Sequence, residues 1–144
     1  MKRRLKDKKG SITLLYFGLV FLLLMLTFLI VEMGSAMENY SYAESVLQRA
    51  CNSAVEANID DSFRADHILK MDTAGAKADF LRYVRQDLPS KYDFQVSTIQ
   101  CTSSPPGMMV IGRIRFATVF SQFGFRARMH TIKVISTNYA LDGR

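Results

Sequence analysis

The sequence predicts an α+β protein: a long N-terminal helix, apolar enough in its first part to cross a membrane, precedes short helices and a small antiparallel β-sheet. Three observations support this prediction. Residues 12–31 form an uncharged apolar run whose most polar members are Thr13 and Thr27. Apolar residues then recur at helical spacings as far as Leu88, and from Tyr92 onward they alternate with polar residues at the period of a β-strand. The 144 residues therefore combine one membrane segment with one small domain.

The apolar run, Ile12–Val31, has the length that a membrane-spanning helix needs. At about 1.5 Å of rise per residue it covers roughly 30 Å, the thickness of the hydrocarbon core of a bilayer. Two other interpretations stay open: a buried core helix, and a cleavable secretory signal that ends near Gly34-Ser35-Ala36. A signal has an apolar region of only about 7–15 residues, however, and a core helix is rarely apolar on every side. We predict a transmembrane helix at residues 11–31.

Basic residues in front of the run predict its orientation. The first nine residues contain one acid, Asp7, and these six cations: Lys2, Arg3, Arg4, Lys6, Lys8 and Lys9. Because Lys and Arg accumulate on the cytoplasmic side, residues 1–10 are predicted to be a cytoplasmic leader and residues 32–144 an extracytoplasmic α+β domain. The leader also accounts for most of the formal net charge of +6, so no nucleic-acid partner is expected.

The outer domain is predicted to be helical over residues 32–88. No proline interrupts the chain from Ser11 to Ile59, so one helix about 70 Å long is predicted to end at Ala57, with a kink near Gly34 as the alternative. One face of this helix is marked by residues at spacings of three, four and seven: Met33, Met37, Tyr40, Leu47, Cys51 and Ala54.

Two shorter helices are predicted to follow. Asp60-Asp61-Ser62 supplies N-cap chemistry for a helix at Ser62–Lys70. Asp72 then caps a helix at Thr73–Leu88, which Pro89 terminates.

Antiparallel strands are predicted over residues 92–139. The first is Tyr92–Cys101, and the turn Thr102–Gly107 follows it. Two longer strands, Met108–Phe120 and Phe123–Tyr139, are predicted to form a hairpin.

The predicted hairpin register places Phe116 opposite Met129, with a β-bulge after Thr131. The other face of the hairpin then carries five basic residues: Arg113, Arg115, Arg126, Arg128 and His130. Because residues 32–93 are acidic overall, we interpret this face as an interaction surface for an acidic helical face of a neighbouring subunit. The alternatives are a solvated face that deters edge pairing, and a surface for anionic polymers, although no aromatic residue shares it.

Cys51 and Cys101 are the two cysteines of the chain, and both are predicted to lie outside the membrane. A disulfide between them would staple the long helix to the sheet and stabilise the domain by roughly 4 kcal/mol. Two buried free thiols are the alternative, since the sequence does not show whether the Cα atoms approach within about 7 Å.

The sequence gives little support to catalysis, and the chain is predicted not to be an enzyme. His67 and His130 have no partner four residues away, and no H-E-x-x-H, G-x-S-x-G or phosphate-loop motif occurs. A thiol nucleophile at Cys101 with His130 as its base lacks an orienting third group. No cofactor and no metal are expected.

Three stretches carry a family resemblance: GSITLLYF from Gly10, Val31–Gly34, and Glu44–Ala57. Together they resemble the N-terminal region of the TadE/TadG-like proteins, minor pilins or pseudopilins of the Tad (Flp, type IVb) pilus system. The resemblance implies a pilin-like fold in the bacterial cytoplasmic membrane and a structural role in a pilus or secretion apparatus. It also implies a prepilin peptidase that recognises Lys9, Gly10 and Ser11. The other implied partners are membrane lipid, other pilin subunits, and an inner-membrane platform protein through which an assembly ATPase acts.

Leu15 departs from the pilin pattern. Cleavage after Gly10 would make it the fifth mature residue, where pilins usually carry a Glu that pairs with a neighbouring N-terminal amine. A carboxylate in hydrocarbon is costly and is retained only where it has a partner. Leu15 removes both the cost of the buried carboxylate and the pairing. This argues against a major filament subunit and keeps a second interpretation open, a permanently anchored extracytoplasmic binding or adaptor domain.

Overall fold

A single helix, α1 (Lys8–Ala57), forms more than a third of the molecule. The structure is a computed structural model that describes residues 8–60 and 69–137. The further elements in chain order are β1 (Ile59–Asp60), β2 (Lys70–Met71), α2 (Thr73–Asp87), β3 (Tyr92–Thr102), β4 (Gly107–Phe116), a 3-10 helix (Val119–Phe123) and β5 (Met129–Thr137). The predicted α+β fold with a long N-terminal helix is confirmed.

Helix α1 has 50 residues and is therefore about 75 Å long. It is continuous through Gly34 and ends at Ala57, as predicted. Every side chain from Ile12 to Val31 is exposed except that of Phe28, which is half-buried. By length and composition this helix is able to cross a membrane.

The second half of α1 has the opposite environment, because it forms one wall of the core. The residues that it contributes to the core cluster recur every three or four positions: Ala43, Leu47, Ala50, Cys51, Ala54 and Val55. They pack against Phe80 of α2 and against alternate residues of β4, including Val110 and Ile114. The side chains of Tyr40 and Gln48 also donate hydrogen bonds to the carbonyl groups of Thr131 and Ile135 on strand β5.

Helix α2 forms where its capping residues predicted it. The Asp72 carboxylate accepts a hydrogen bond from the Ala74 N–H at 2.9 Å, and the helix ends one residue before Leu88. Residues 61–68, which hold most of the helix predicted at Ser62–Lys70, lie outside the described part of the chain. The last residue of that prediction is wrong, because Lys70 belongs to β2, which pairs with β1 in a short antiparallel ladder.

The main sheet is antiparallel, in the order β3-β4-β5. Strand β3 begins at Tyr92 as predicted and contains a register shift between Val96 and Thr98. This irregularity changes which positions face the core, so that Phe94 before it and Cys101 after it both pack against the core cluster. The bulge predicted after Thr131 is wrong, since the β4–β5 register continues unshifted from Met129 to Thr137.

The two strands of the predicted hairpin do pair antiparallel, but they are shorter than predicted. Strand β4 ends at Phe116 and β5 begins at Met129, and residues 117–128 form a connection that contains the 3-10 helix. Met129 pairs with Arg115 rather than with Phe116, a register that differs by one residue from the prediction. A slip of one residue moves side chains to the opposite face of a sheet, so the composition of both faces changes.

Gly112 is required by a close contact within the sheet. It lies in the middle of β4, where the ring of Phe94 from β3 packs directly over it. A Cβ atom here would collide with that ring and lie 3.0 Å from the carbonyl oxygen of Gln95.

We therefore expect Gly112→Ala to lower the free energy of unfolding by about 1–3 kcal/mol, the usual range for overpacking. Denaturant unfolding of the full chain in detergent measures this. Gly34→Ala is the matched control, because a Cβ at Gly34 meets no atom within 4 Å and alanine is favoured in helices by up to about 1 kcal/mol. Equal effects of the two substitutions would contradict the packing argument.

Candidate interaction surface

The five basic residues predicted to share one face lie in three places. Arg113 and Arg115 are exposed on β4, opposite Gln95 and Asp93 of β3. Arg126 and Arg128 are exposed in the connection between β4 and β5, which is not a strand. The prediction of a single basic hairpin face is therefore wrong, because it extended both strands by several residues.

His130 lies on the core side of the sheet rather than with the arginines. It pairs with the buried Ile114 on β4 and is half-buried. Its ring stacks on that of Phe116, with centroids 5.2 Å apart and planes at 6°, and the Tyr40 ring lies 6.1 Å away at a steep angle. His130 thus contributes to the packing between α1 and β5.

The connection at residues 117–128, termed here the aromatic loop, packs on α1 at the end of the apolar run. The Phe28 ring lies 4.8 Å from that of Phe120 and 5.6 Å from that of Phe123, between centroids. Phe120 also contacts Phe125 at 5.5 Å. These contacts explain why Phe28 alone is partly covered among the exposed side chains of Ile12–Val31.

A hydrogen bond to the carboxylate of Glu32 holds the aromatic loop against helix α1. The Glu32 carboxylate accepts the backbone N–H of Phe120 at 2.9 Å. This N–H belongs to the first turn of the 3-10 helix, where backbone donors lack partners within the helix. Gly124 ends the 3-10 helix in the left-handed region, with φ of 86°, and donates its N–H to Phe120 O and Ser121 O.

Beside these contacts, a groove of about 650 Å³ lies between α1 and the aromatic loop. Its walls combine apolar side chains of both elements, such as Met33 and Phe125, with the basic side chains of Arg126, Arg128 and His130. Phe125, which lines the groove, remains 64% exposed, and Phe123 on the same loop is 66% exposed. The arrangement suits a partner that is apolar at one end and anionic at the other.

A second, polar contact lies further along α1, at Asn39. Its side-chain oxygen accepts hydrogen bonds from the Tyr92 hydroxyl at 2.9 Å and from Lys91 Nζ at 3.2 Å. Its amide nitrogen donates to the Ser35 carbonyl at 2.8 Å. Because both ends of the Asn39 amide are satisfied within the chain, this contact positions the start of β3 and offers little to a ligand.

The two cysteines flank the same residue of β4. The Cys51 thiol donates towards the Met108 carbonyl at 3.7 Å, and Cys101 is the ladder partner of Met108. Both thiols are free.

Burial, and secondarily the neighbouring Cys101 charge, raise the pKa of Cys51 from 9.0 to about 11, while a backbone hydrogen bond at Ser136 lowers it in part. Burial likewise raises the pKa of Cys101 against the opposing effect of Lys77. The disulfide stays a prediction.

Neither Phe28 nor Glu32 was singled out by sequence reasoning. Glu32 carried one signal, since it is the first acid after the apolar run. Over residues 8–60 and 69–137 the structure contains no group of three His, Cys, Asp or Glu residues that could hold a metal ion.

The fold and the surface define a class: an α+β protein with an apolar N-terminal helix and an aromatic, basic loop beside the end of its apolar part. Comparison with known proteins adds no family to this description. No family model matches the chain, and no curated protein and no solved structure is significantly similar to it.

Removing the Glu32 carboxylate should loosen the aromatic loop. A hydrogen bond to a charged group contributes about 1.5–3 kcal/mol, so we expect Glu32→Ala to increase hydrogen exchange of the Phe120 amide by roughly 10- to 100-fold. Glu32→Gln keeps an acceptor and should show a smaller increase. Unchanged exchange in Glu32→Ala would contradict the role of this contact.

The raised pKa of Cys51 predicts a loss of stability in alkali. The folded state favours the protonated thiol, so its contribution is complete below pH 9.0 and is lost as the pH rises towards about 11. Under reducing conditions, the free energy of unfolding of the unaltered chain should fall by roughly 2–3 kcal/mol more over this pH interval than that of the Cys51→Ala variant. Denaturant unfolding at a series of pH values measures the difference, and parallel curves for the two chains would contradict it.

Proposed function

We propose that this chain is a membrane-anchored structural protein, a minor pilin or pseudopilin of the Tad type. The observation that carries the proposal is the division of α1 into two halves. Its apolar half is exposed on every side except where Phe28 meets the aromatic loop, and its second half is the central support of a small α+β domain. A pilin needs this layout, because its N-terminal helix lies in lipid before assembly and packs among neighbouring helices afterwards.

The proposed orientation places the basic leader in the cytoplasm and the α+β domain outside, according to the distribution of Lys and Arg. A prepilin peptidase would then meet Lys9, Gly10 and Ser11 at the cytoplasmic border of the helix. The proposed partners after cleavage are other pilin subunits and the platform protein of the apparatus.

Exposed charge on the domain supports contact between subunits. Arg113 and Lys133 lie on the outer face of the sheet, whereas Glu44 and Glu56 are exposed on α1. Because the basic and acidic residues lie on different faces, the sheet of one subunit can contact helix α1 of the next, either in a second copy or in a related subunit. Arg115 is less free to take part, because Asp93 lies opposite it in the β3–β4 ladder.

Leu15 favours a second candidate function, a permanently anchored binding or adaptor domain. Without a carboxylate at this position the helix lacks the charge that pairs with a neighbour's N-terminal amine. The chain would then stay in the membrane with its leader intact, and the α+β domain would act as a binding module.

The mature N-terminus distinguishes the two. In a bacterial host that contains a prepilin peptidase, we expect mass spectrometry to find Ser11 as the first residue, and Gly10→Leu to abolish the cleavage. Gly34→Leu is the matched control and should leave the new N-terminus unchanged.

Two other results would contradict the pilin proposal in different ways. An intact leader in the presence of an active peptidase, together with no co-purification of other pilins, would favour the anchored adaptor. A first residue at Met37 would identify a cleaved secretory signal and remove the anchor altogether. Co-purification of other pilins should be scored beside the N-terminus, since it tests the assembly directly.

A further inference from the structure

The position of the aromatic loop along α1 sets its depth relative to a membrane. Phe28 lies three residues before Val31, the end of the apolar run, and so about 4.5 Å inside it. Phe120 and Phe123 both contact the Phe28 ring. If the apolar run occupies the hydrocarbon core, the tip of the loop must lie at the boundary between hydrocarbon and headgroups.

The tip of the aromatic loop, residues 123–128, carries side chains of the kinds found at the boundary between hydrocarbon and headgroups. Outside α1, no large apolar side chain in the described part of the chain is more exposed than those of Phe123 and Phe125. Exposed Phe rings are costly in water, whereas elements that lie on a membrane bury Trp, Phe and Leu side chains at the boundary between headgroups and acyl chains. The next basic residues in the sequence, Arg126 and Arg128, are exposed, and a guanidinium group binds phosphate oxygens in a bidentate manner.

We propose that the aromatic loop is a lipid-binding element of the extracytoplasmic leaflet. Phe123 and Phe125 insert among the acyl chains just below the headgroups, and Arg126 and Arg128 contact the lipid phosphates. The inference rests on the membrane anchoring in the proposed function, but it does not depend on assembly into a pilus.

The loop is held at this depth by the helix itself. The Glu32 carboxylate binds the Phe120 N–H, and the Phe28 ring contacts the loop from one turn deeper. The loop therefore cannot retreat from the interface without breaking both contacts. The α+β domain is consequently attached to the bilayer at two points, the helix and the loop, which restricts its tilt.

Tryptophan fluorescence offers a direct test, because the chain contains no Trp. Phe123→Trp, in the full chain reconstituted into vesicles, places one probe at the tip. We expect lipids brominated near the headgroup end of the acyl chain to quench it more strongly than lipids brominated near the chain terminus. Phe125→Trp is the second variant, should the first fail to fold.

Two further variants make the result interpretable. Tyr16→Trp lies inside the apolar run and reports on anchoring alone. Ile135→Trp, half-exposed on β5, receives a hydrogen bond at its carbonyl from Gln48, about 30 Å further along α1 than Phe28, and should not be quenched. Quenching of Tyr16→Trp without quenching at Phe123 or Phe125 would overturn the lipid-binding inference and leave the anchor intact. No quenching of Tyr16→Trp would overturn the anchor itself.

Charge reversal tests the phosphate contact. In the Phe123→Trp chain, Arg126→Glu with Arg128→Glu should reduce quenching by the lipid brominated near the headgroups. Arg113→Glu with Lys133→Glu makes the same change in net charge on the outer face of the sheet and should have no effect. Equal effects of the two pairs would overturn the role of Arg126 and Arg128. A probe that is shielded from water but not quenched by lipid would identify a second protein copy as the occupant and overturn the inference.

Discussion

The continuous backbone of α1 is the constraint on which the rest of the structure depends. One part of this helix is apolar on all sides and exposed, whereas the next part has a single buried stripe against the sheet and α2. No break separates the two parts within Lys8–Ala57. Small residues in the stripe, such as Ala43, Ala50 and Ala54, allow the sheet to approach the helix closely. The orientation of the domain therefore follows from the direction of the helix.

The same continuity explains why a loop far away in the sequence acts beside the apolar run. Strand β5 lies along α1, tied by Tyr40 and Gln48 to two of its carbonyl groups. The start of β5, and the connection before it, are thereby brought beside the middle of the helix, close to Val31. In the connection between β4 and β5, the ring of Phe120 then packs on Phe28, and the backbone N–H of Phe120 donates a hydrogen bond to Glu32. Phe28 and Glu32 therefore hold a distant segment of the chain against the helix.

The features that the sequence predicted well depend on local periodicity. The end of α1 at Ala57, the capping of α2 by Asp72 and the start of β3 at Tyr92 are all determined by neighbours within a few positions. The predicted extent of the hairpin was wrong for a physical reason. Phe120 and Phe123 fit an alternating strand pattern almost as well as they fit a loop, and their contacts with the distant ring of Phe28 favour the loop. The resulting error of one residue in register also misplaced His130.

If the chain is the anchored pilin proposed above, Leu15 and the aromatic loop bear on how its helix exchanges lipid for protein. In a pilin filament the apolar half of α1 would leave lipid and pack against other helices, which gives little directional preference because hydrocarbon and leucine are similarly apolar. A buried carboxylate ordinarily supplies that preference, and Leu15 does not. The exposed rings of Phe123 and Phe125 and the guanidinium groups of Arg126 and Arg128 are then the groups near the membrane boundary that could supply it. In such an assembly, whatever replaces lipid around this loop would have to offer both an apolar surface and negative charge, as an acidic amphipathic helix of a neighbouring subunit would.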